Sequence, residues 1–192
     1  MARWEPDAAG RLRQAALDLY AERGYEETTV AEIAARAGLT ERTYFRHFAD
    51  KREVLFHGST ELQEALAAAV EEAPADESPL DAVAFGLRRI GTFFDERRAF
   101  SLRRHAVIRS SPELQERELM KRDALVAALV EVLERRGVAP ATAALAAESG
   151  ISVFHLAYAR WIEDPDERSY AEHVDETLAS LRALTVSPAP TG

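Results

Sequence analysis

The chain has 192 residues, 47% of them hydrophobic, enough to bury one core or two small ones. It contains no cysteine, which excludes disulfide frameworks, thiolate metal sites and cysteine nucleophiles and fits a reducing compartment. The formal net charge of −9 argues at first against a polyanionic partner, but residues 1–57 hold 9 Lys+Arg against 10 Asp+Glu while residues 58–192 hold 15 against 23, which leaves the first part free to present a local basic surface.

The opening residues, Met1 to Asp7, lack the apolar stretch of a secretory signal, and no later segment approaches a membrane span, so the expected location is the cytoplasm, with no membrane partner. Arg3 and Trp4 are candidates for a basic arm reaching DNA, or for a plain terminus. The periodicity then predicts helices throughout, an all-α chain. Leu12, Ala15, Ala16, Leu19 and Tyr20 recur at three-and-four spacing in a helix from about Arg11 to Arg23, closed by Gly24. Thr29 caps a short helix, Val30 to Ala37, and Gly38 with Leu39 makes the turn. Thr40 caps the next helix, which runs through Phe48, and Asp50 with Glu53 forms a capping-box pattern that starts a long helix from Lys51 to about Glu72.

Residues 73–79, Ala-Pro-Ala-Asp-Glu-Ser-Pro, read as a linker, with Ser78 as N-cap and Pro79 at the first helical position. Five helices follow: Leu80 to about Arg97, Phe100 to Arg109, Pro112 to Arg136, Pro140 to about Glu163, and Ser169 to Leu184. The predicted division is a helix-turn-helix domain over 1–57, a larger helical domain over 58–186, and a disordered tail over 187–192.

Two short helices joined by a tight glycine turn, the second capped by a hydroxyl residue, form the pattern of a helix-turn-helix. In that arrangement the second helix enters the DNA major groove. Tyr44 and Phe48 share a face and would pack with Ile33, Ala34 and Leu39, while Glu41, Arg42, Phe45 and Arg46 fall elsewhere and Thr43 with His47 makes a further i,i+4 pair. An arginine here suits guanine O6 and N7, a hydroxyl or imidazole suits phosphate, and an exposed aromatic suits a thymine methyl or a sugar. Lys51, at the start of the following helix, suits phosphate.

The stretch TTVAEIAARAGLTERTYFRHFADKREVL, Thr28 to Leu55, resembles the DNA-binding domain of the TetR/AcrR family of bacterial transcriptional regulators. The resemblance runs from Arg11 through Phe56 and rests on the leading threonines, Ile33-Ala34, Ala37-Gly38, Thr43, His47-Phe48 and Lys51 together. It implies a homodimer whose N-terminal three-helix domains bind a palindromic operator, and a helical C-terminal domain with an effector pocket and the dimer contact. On this resemblance Thr29, Thr43, His47 and Lys51 match phosphate-holding positions, and Thr40, Glu41 and Arg42 match base-reading ones. Phe45 departs from the tyrosine usual there, and Tyr44 stands at a usually aliphatic core position, where its hydroxyl is free to emerge at the surface instead; either ring remains a candidate to meet DNA.

In the second part, Leu145, Ile151, Val153, Phe154, Leu156, Tyr158, Trp161 and Ile162 cover more than one face of the helix from Pro140, so that this helix, with Leu178, Leu181 and Leu184 of the last, is expected in an isologous dimer interface, with Phe154, Tyr158, Trp161, Leu178 and Leu181 as its contact residues. Candidates for a ligand pocket are Phe93, Phe94, Phe100, His105, Arg109, Ser152 and His155, with Phe85, as aromatic or polar residues within apolar stretches. No Glu-x-x-His pair, His-Glu-x-x-His motif, phosphate-binding glycine loop or nucleophile elbow occurs, so neither catalysis nor a cofactor or metal is expected. The expected function is a ligand-responsive regulator, a repressor acting as a homodimer with an unknown small-molecule effector. The alternative from another class is a helical ligand-binding or scaffolding protein that keeps the fold without reading DNA.

Overall fold

Asp7 opens the first helix by accepting a hydrogen bond from the Gly10 amide at 2.9 Å. In the computed structural model, which describes residues 7–185, the elements are α1 (Ala8–Arg23), α2 (Val30–Arg36), α3 (Glu41–His47), α4 (Glu53–Phe56), α5 (Ser59–Glu71), α6 (Pro79–Arg89), α7 (Gly91–Asp95), α8 (Arg98–Arg109), α9 (Pro112–Arg135), α10 (Pro140–Glu163) and α11 (Tyr170–Thr185). Every regular element among these residues is a helix, as the periodicity predicts. The expectations for Arg3, Trp4 and the tail over 187–192 lie outside the described residues.

The chain divides into two units, one formed by residues up to Ser59 with Ala99–Met120, the other by Thr60–Arg98 with the residues from Lys121 onward. A boundary at residue 57 or 58 therefore leaves out a segment, most of α8 and the first turns of α9, that folds with the N-terminal helices. Leu12, Leu17, Tyr20, Ile33, Tyr44 and Val54 make the core of the first unit, and Ile108 and Leu114 complete it. Arg104 ties the added segment in: its guanidinium donates to the Leu55 carbonyl at 2.8 Å and lies 5.0 Å from the centre of the Phe56 ring.

The second unit packs α6, α10 and α11 together around Val83, Leu87, Ile151, Trp161, Tyr170 and Val174, with Leu66 and Val70 of α5 and Leu129 and Leu133 of α9. Phe94 sits inside a cluster of rings, with Phe154, Tyr158, Trp161 and Tyr170 between 4.9 and 6.1 Å from it.

Two predicted helices are broken. The helix expected from Lys51 to Glu72 divides after Phe56, because Gly58 adopts a left-handed φ of +90°, a conformation that glycine tolerates without a side-chain clash. The Asp50–Glu53 capping box is half realised: Asp50 accepts from the Arg52 and Glu53 amides, while the Glu53 carboxylate pairs with Arg117 at 2.5 Å. The helix expected over Leu80 to Arg97 bends at Ile90, whose ψ of −4° tightens the turn between α6 and α7. Beyond the bend, Gly91 lies close to Tyr170 and Phe94 points into the ring cluster.

Candidate nucleic-acid interface

The α2–turn–α3 segment is held by its caps. The Thr29 hydroxyl accepts from the Glu32 amide while the Glu32 carboxylate accepts from the Thr29 amide, a complete capping box. The same carboxylate accepts a hydrogen bond from the Thr29 hydroxyl at 2.9 Å, so this hydroxyl, expected on phosphate, donates within the helix start. Gly38, with φ +67°, lets the Leu39 amide reach back to the Ala34 carbonyl at 2.8 Å and aims the chain into α3. Thr40 caps α3 by accepting from the Thr43 amide, and the two threonine hydroxyls share a hydrogen bond at 3.0 Å. Whichever of them accepts keeps its own proton for an outside acceptor.

On α3 the faces separate cleanly. Tyr44 and Phe48 are buried with ring centres 5.2 Å apart, whereas Thr40, Glu41, Arg42, Phe45, Arg46 and His47 are exposed and Thr43 is half-buried. The Tyr44 hydroxyl does not emerge at the surface as the sequence left open. It donates to the carbonyls of Asp50 at 3.2 Å and Lys51 at 3.4 Å, and burial pushes its phenol up, so it stays a neutral donor. Tyr20 donates to the same Lys51 carbonyl at 2.7 Å. Two tyrosines thus hold the α3–α4 connection, and the ring offered outward is Phe45, 55% exposed.

Lys51 is more constrained than its sequence position suggests. Its ammonium donates to the Tyr25 carbonyl at 2.8 Å and lies 4.0 Å from the centre of the Tyr25 ring. The Glu26 carbonyl stands at 3.5 Å, which leaves at least one N–H for an external acceptor. Tyr25 in turn donates its hydroxyl to Glu113 of α9 at 2.9 Å. Burial, then that bond, pushes the Tyr25 phenol up. Sequence reasoning missed Tyr20, Tyr25 and Glu113 as supports of the site; Glu113 is 88 positions from Tyr25, and no local spacing connects them.

The charges around α3 show a second division. Arg23 pairs with Glu32 and Arg36 with Glu22, both at 2.9 Å, and Arg52 with Asp50 at 2.8 Å. The Arg52 guanidinium, with the Arg52 and Glu53 amides, holds Asp50 below the usual carboxylate range. Arg103 pairs with Asp18 at 2.5 Å in the same unit. Arg42 and Arg46 make no ion pair or hydrogen bond among the described residues. The first unit thus neutralises arginines around its helix-turn-helix and leaves two on α3 to solvent.

The residues expected in a ligand pocket are drawn from both units. Phe100, His105 and Arg109 belong to the first unit, with Phe100 under the Arg13 guanidinium at 4.8 Å, while Phe93, Phe94, Ser152 and His155 belong to the second. Phe94 is core, the Ser152 hydroxyl is spent on the Glu148 carbonyl, and His155 is half-buried beside Phe154. Only Phe93 of the seven lines the open cleft of about 440 Å³ between α5 and the α6–α7 pair. Leu62, Ala65, Ala69 and Ile90 form its apolar walls, and Arg89, paired with Glu72 at 3.1 Å, and Glu61 supply charge.

The residues expected at the dimer contact differ in exposure. Phe154, Trp161 and Leu178 are buried inside their own unit and offer no surface to a partner; Tyr158 and Leu181 are half-buried. The large apolar residues that α10 and α11 do expose are Leu145 at 70%, Leu156 at 57% and Leu184 at 82%.

A capped two-helix unit with a tight turn, a packed inner face and an unpaired cationic outer face defines a helix-turn-helix protein of the DNA-binding class. Residues 12–57 match the family model described as bacterial regulatory proteins, tetR family, and residues 77–185 match the model described as the MftR C-terminal domain. The chain belongs to the TetR family of bacterial regulatory proteins. It is 42% identical over 80 residues to the HTH-type transcriptional regulator TcmR of Streptomyces glaucescens, a match covering 42% of this chain and 35% of that protein. It is 42% identical over 74 residues to the HTH-type transcriptional repressor Rv3405c of Mycobacterium tuberculosis, covering 36% of this chain and 38% of that one. These matches span little more than a third of the relatives' own length. In fold it is similar to Thermus thermophilus FadR, a TetR-family repressor solved with lauroyl-CoA, at a TM-score of 0.56 and 20% identity over 96% of this chain and 98% of that one. Among the described residues no helix is long and apolar enough to cross a membrane.

Proposed function

We propose that this protein is a cytoplasmic, ligand-responsive transcriptional regulator, a repressor without catalytic activity, that binds a palindromic operator as a homodimer and is released by a small-molecule effector. The observation that carries the reading is the pair of unpaired arginines, Arg42 and Arg46, on an α3 whose inner face is fully packed. Their company on that face, Thr40, Glu41, Thr43 and His47, is the donor and acceptor set that base edges and phosphates require. The names of TcmR as regulator and Rv3405c as repressor support the same reading for the N-terminal region.

In this reading Thr40, Glu41 and Arg42 face bases, while Thr43, His47 and Lys51 hold phosphate. The exposed leucines of α10 and α11 form the self-complementary patch of a dimer. The cleft beside α5 takes the effector, and release follows from the different affinities of effector and operator for two arrangements of the protein, a coupling that must be reciprocal. The Lys51–Glu72 helix is interrupted at Gly58, whereas α9 is one helix with its first turns in the first unit and the rest in the second.

A polarisation titration against the DNA upstream of the protein's own gene tests the proposal. Specific binding should exceed that of random DNA by at least a thousandfold and weaken steeply with salt as counterions are released. Equal, weak binding of specific and random DNA would reject it in favour of a scaffold that keeps the fold.

A further inference from the structure

Phe45 is a surface phenylalanine on the face that carries the unpaired arginines. It is 55% exposed, and its ring makes an edge-to-face contact with Tyr44, at 5.6 Å between centres. The core does not need it, because Tyr44 and Phe48 fill the inner face of α3. On the helix surface it neighbours Glu41 and Arg42, four and three positions before it, which are also exposed. A phenyl ring has neither donor nor acceptor, so it gains nothing from a phosphate oxygen or from the polar edge of a base. The apolar group that base edges present in the major groove is the C5 methyl of thymine.

We infer that Phe45 reads a thymine methyl group in each operator half-site and thereby sets one position of the operator's sequence preference. The inference rests on the DNA-binding reading above and adds a specificity contact that hydrogen bonds do not supply. Being apolar, this contact is independent of counterion release, unlike that of Lys51 with phosphate. A ring laid on a deoxyribose would contribute affinity without sequence information, and the test separates the two.

The full chain is first used to select its operator from a random duplex pool, and each thymine of a half-site is then replaced by uracil, which removes only the C5 methyl. Loss of one buried methyl corresponds to about a fourfold change in affinity. The expected result is about a fourfold weakening at one thymine per half-site. Phe45→Ala should bind the unmodified operator correspondingly more weakly and be indifferent to uracil at that position. With cytosine placed there, 5-methylcytosine should bind better than cytosine for the native chain and equally for Phe45→Ala. A uracil series without effect in the native chain, or the same uracil penalty in Phe45→Ala, overturns the inference while the regulator reading stands; in the first case a weakened Phe45→Ala marks a sugar contact. Failure to select any sequence over random DNA overturns both. Because Phe45 is exposed, Phe45→Ala should melt within a few degrees of the native chain.

Discussion

Replacing Lys51 with alanine should do two separable things. The native ammonium donates at 2.8 Å to the Tyr25 carbonyl and lies 4.0 Å from the centre of that residue's ring. A hydrogen bond from a charged group contributes about 1.5–3 kcal/mol and a partly exposed cation–π contact about 0.5–1 kcal/mol. Lys51 is half-exposed, so the lower ends apply and the fold should lose about 2 kcal/mol by urea titration. If the remaining N–H meets a phosphate, two lysines per dimer contribute about −1.8 to the slope of log affinity against log salt. Between 50 and 200 mM salt the native protein should then lose about twelvefold more affinity than the variant does. Polarisation titrations on specific and random DNA over that range measure the slope; both duplexes should show the change, because phosphate contact is blind to sequence. A destabilised variant with an unchanged slope would refute the phosphate role and leave Lys51 as a brace for the Tyr25 turn.

Three further substitutions probe the frame behind the interface. Tyr44→Phe should cost about 0.5–1.5 kcal/mol, because the Asp50 carbonyl loses its donor while Tyr20 still serves that of Lys51; operator affinity should stay within a few-fold, and a loss beyond tenfold with an intact melt would place the hydroxyl on DNA. Gly150→Ala would put a methyl 2.3 Å from Val83 Cγ1, so overpacking of about 1–3 kcal/mol should outweigh the roughly 0.5–1 kcal/mol gained in helix propensity; adding Val83→Ala should recover part of it, and strict additivity in the double-mutant cycle would contradict the contact. Asp164 is held down to about 2 by the Asp166 amide, then by Arg168 and His173, so its depressed pKa contributes stability that is complete above the unfolded value of about 3.9 and is lost as pH falls toward 2. Between pH 5 and 2 the advantage of the native chain over Asp164→Asn should therefore shrink, and a constant gap in acid titrations followed by circular dichroism would rule that linkage out.

What the sequence made legible and what it hid divide along the range of the forces involved. The α2–turn–α3 segment was readable because its start and stop signals, Thr29 with Glu32, Gly38, and Thr40, act within four residues of themselves. The breaks at Gly58 and Ile90 were not, because apolar periodicity continues through both: Leu55 and Leu62 flank the first, and Leu87 and Phe94 the second. Lys51 reads as suited to phosphate alone because Tyr25, which its ammonium also serves, lies 26 positions away, and the partner of Tyr25 is farther still. On α10 hydrophobicity alone could not separate the subunit's own core from an outer face. Phe154 and Trp161 turned inward to the ring cluster around Phe94, while Leu145 and Leu156 stayed outside.

The acidity of the whole chain, −9, is a poor guide to its encounter with a polyanion, because salt confines each charge to its neighbourhood. At physiological ionic strength interactions between exposed charges fade beyond about 8 Å, so phosphates beside α3 respond chiefly to groups near that helix. There Glu22, Glu32 and Asp50 pair with Arg36, Arg23 and Arg52, while Arg42 and Arg46, which outnumber Glu41 on α3, have no acidic partner among the described residues. The acid that does stand on α3, Glu41, lies in its first turn, where the helix dipole favours a carboxylate and where, in a major groove, it would accept from the amino group of cytosine. Under the proposed function an acidic residue at that position discriminates between bases, while its charge offsets part of the attraction of Arg42 and Arg46 to the backbone.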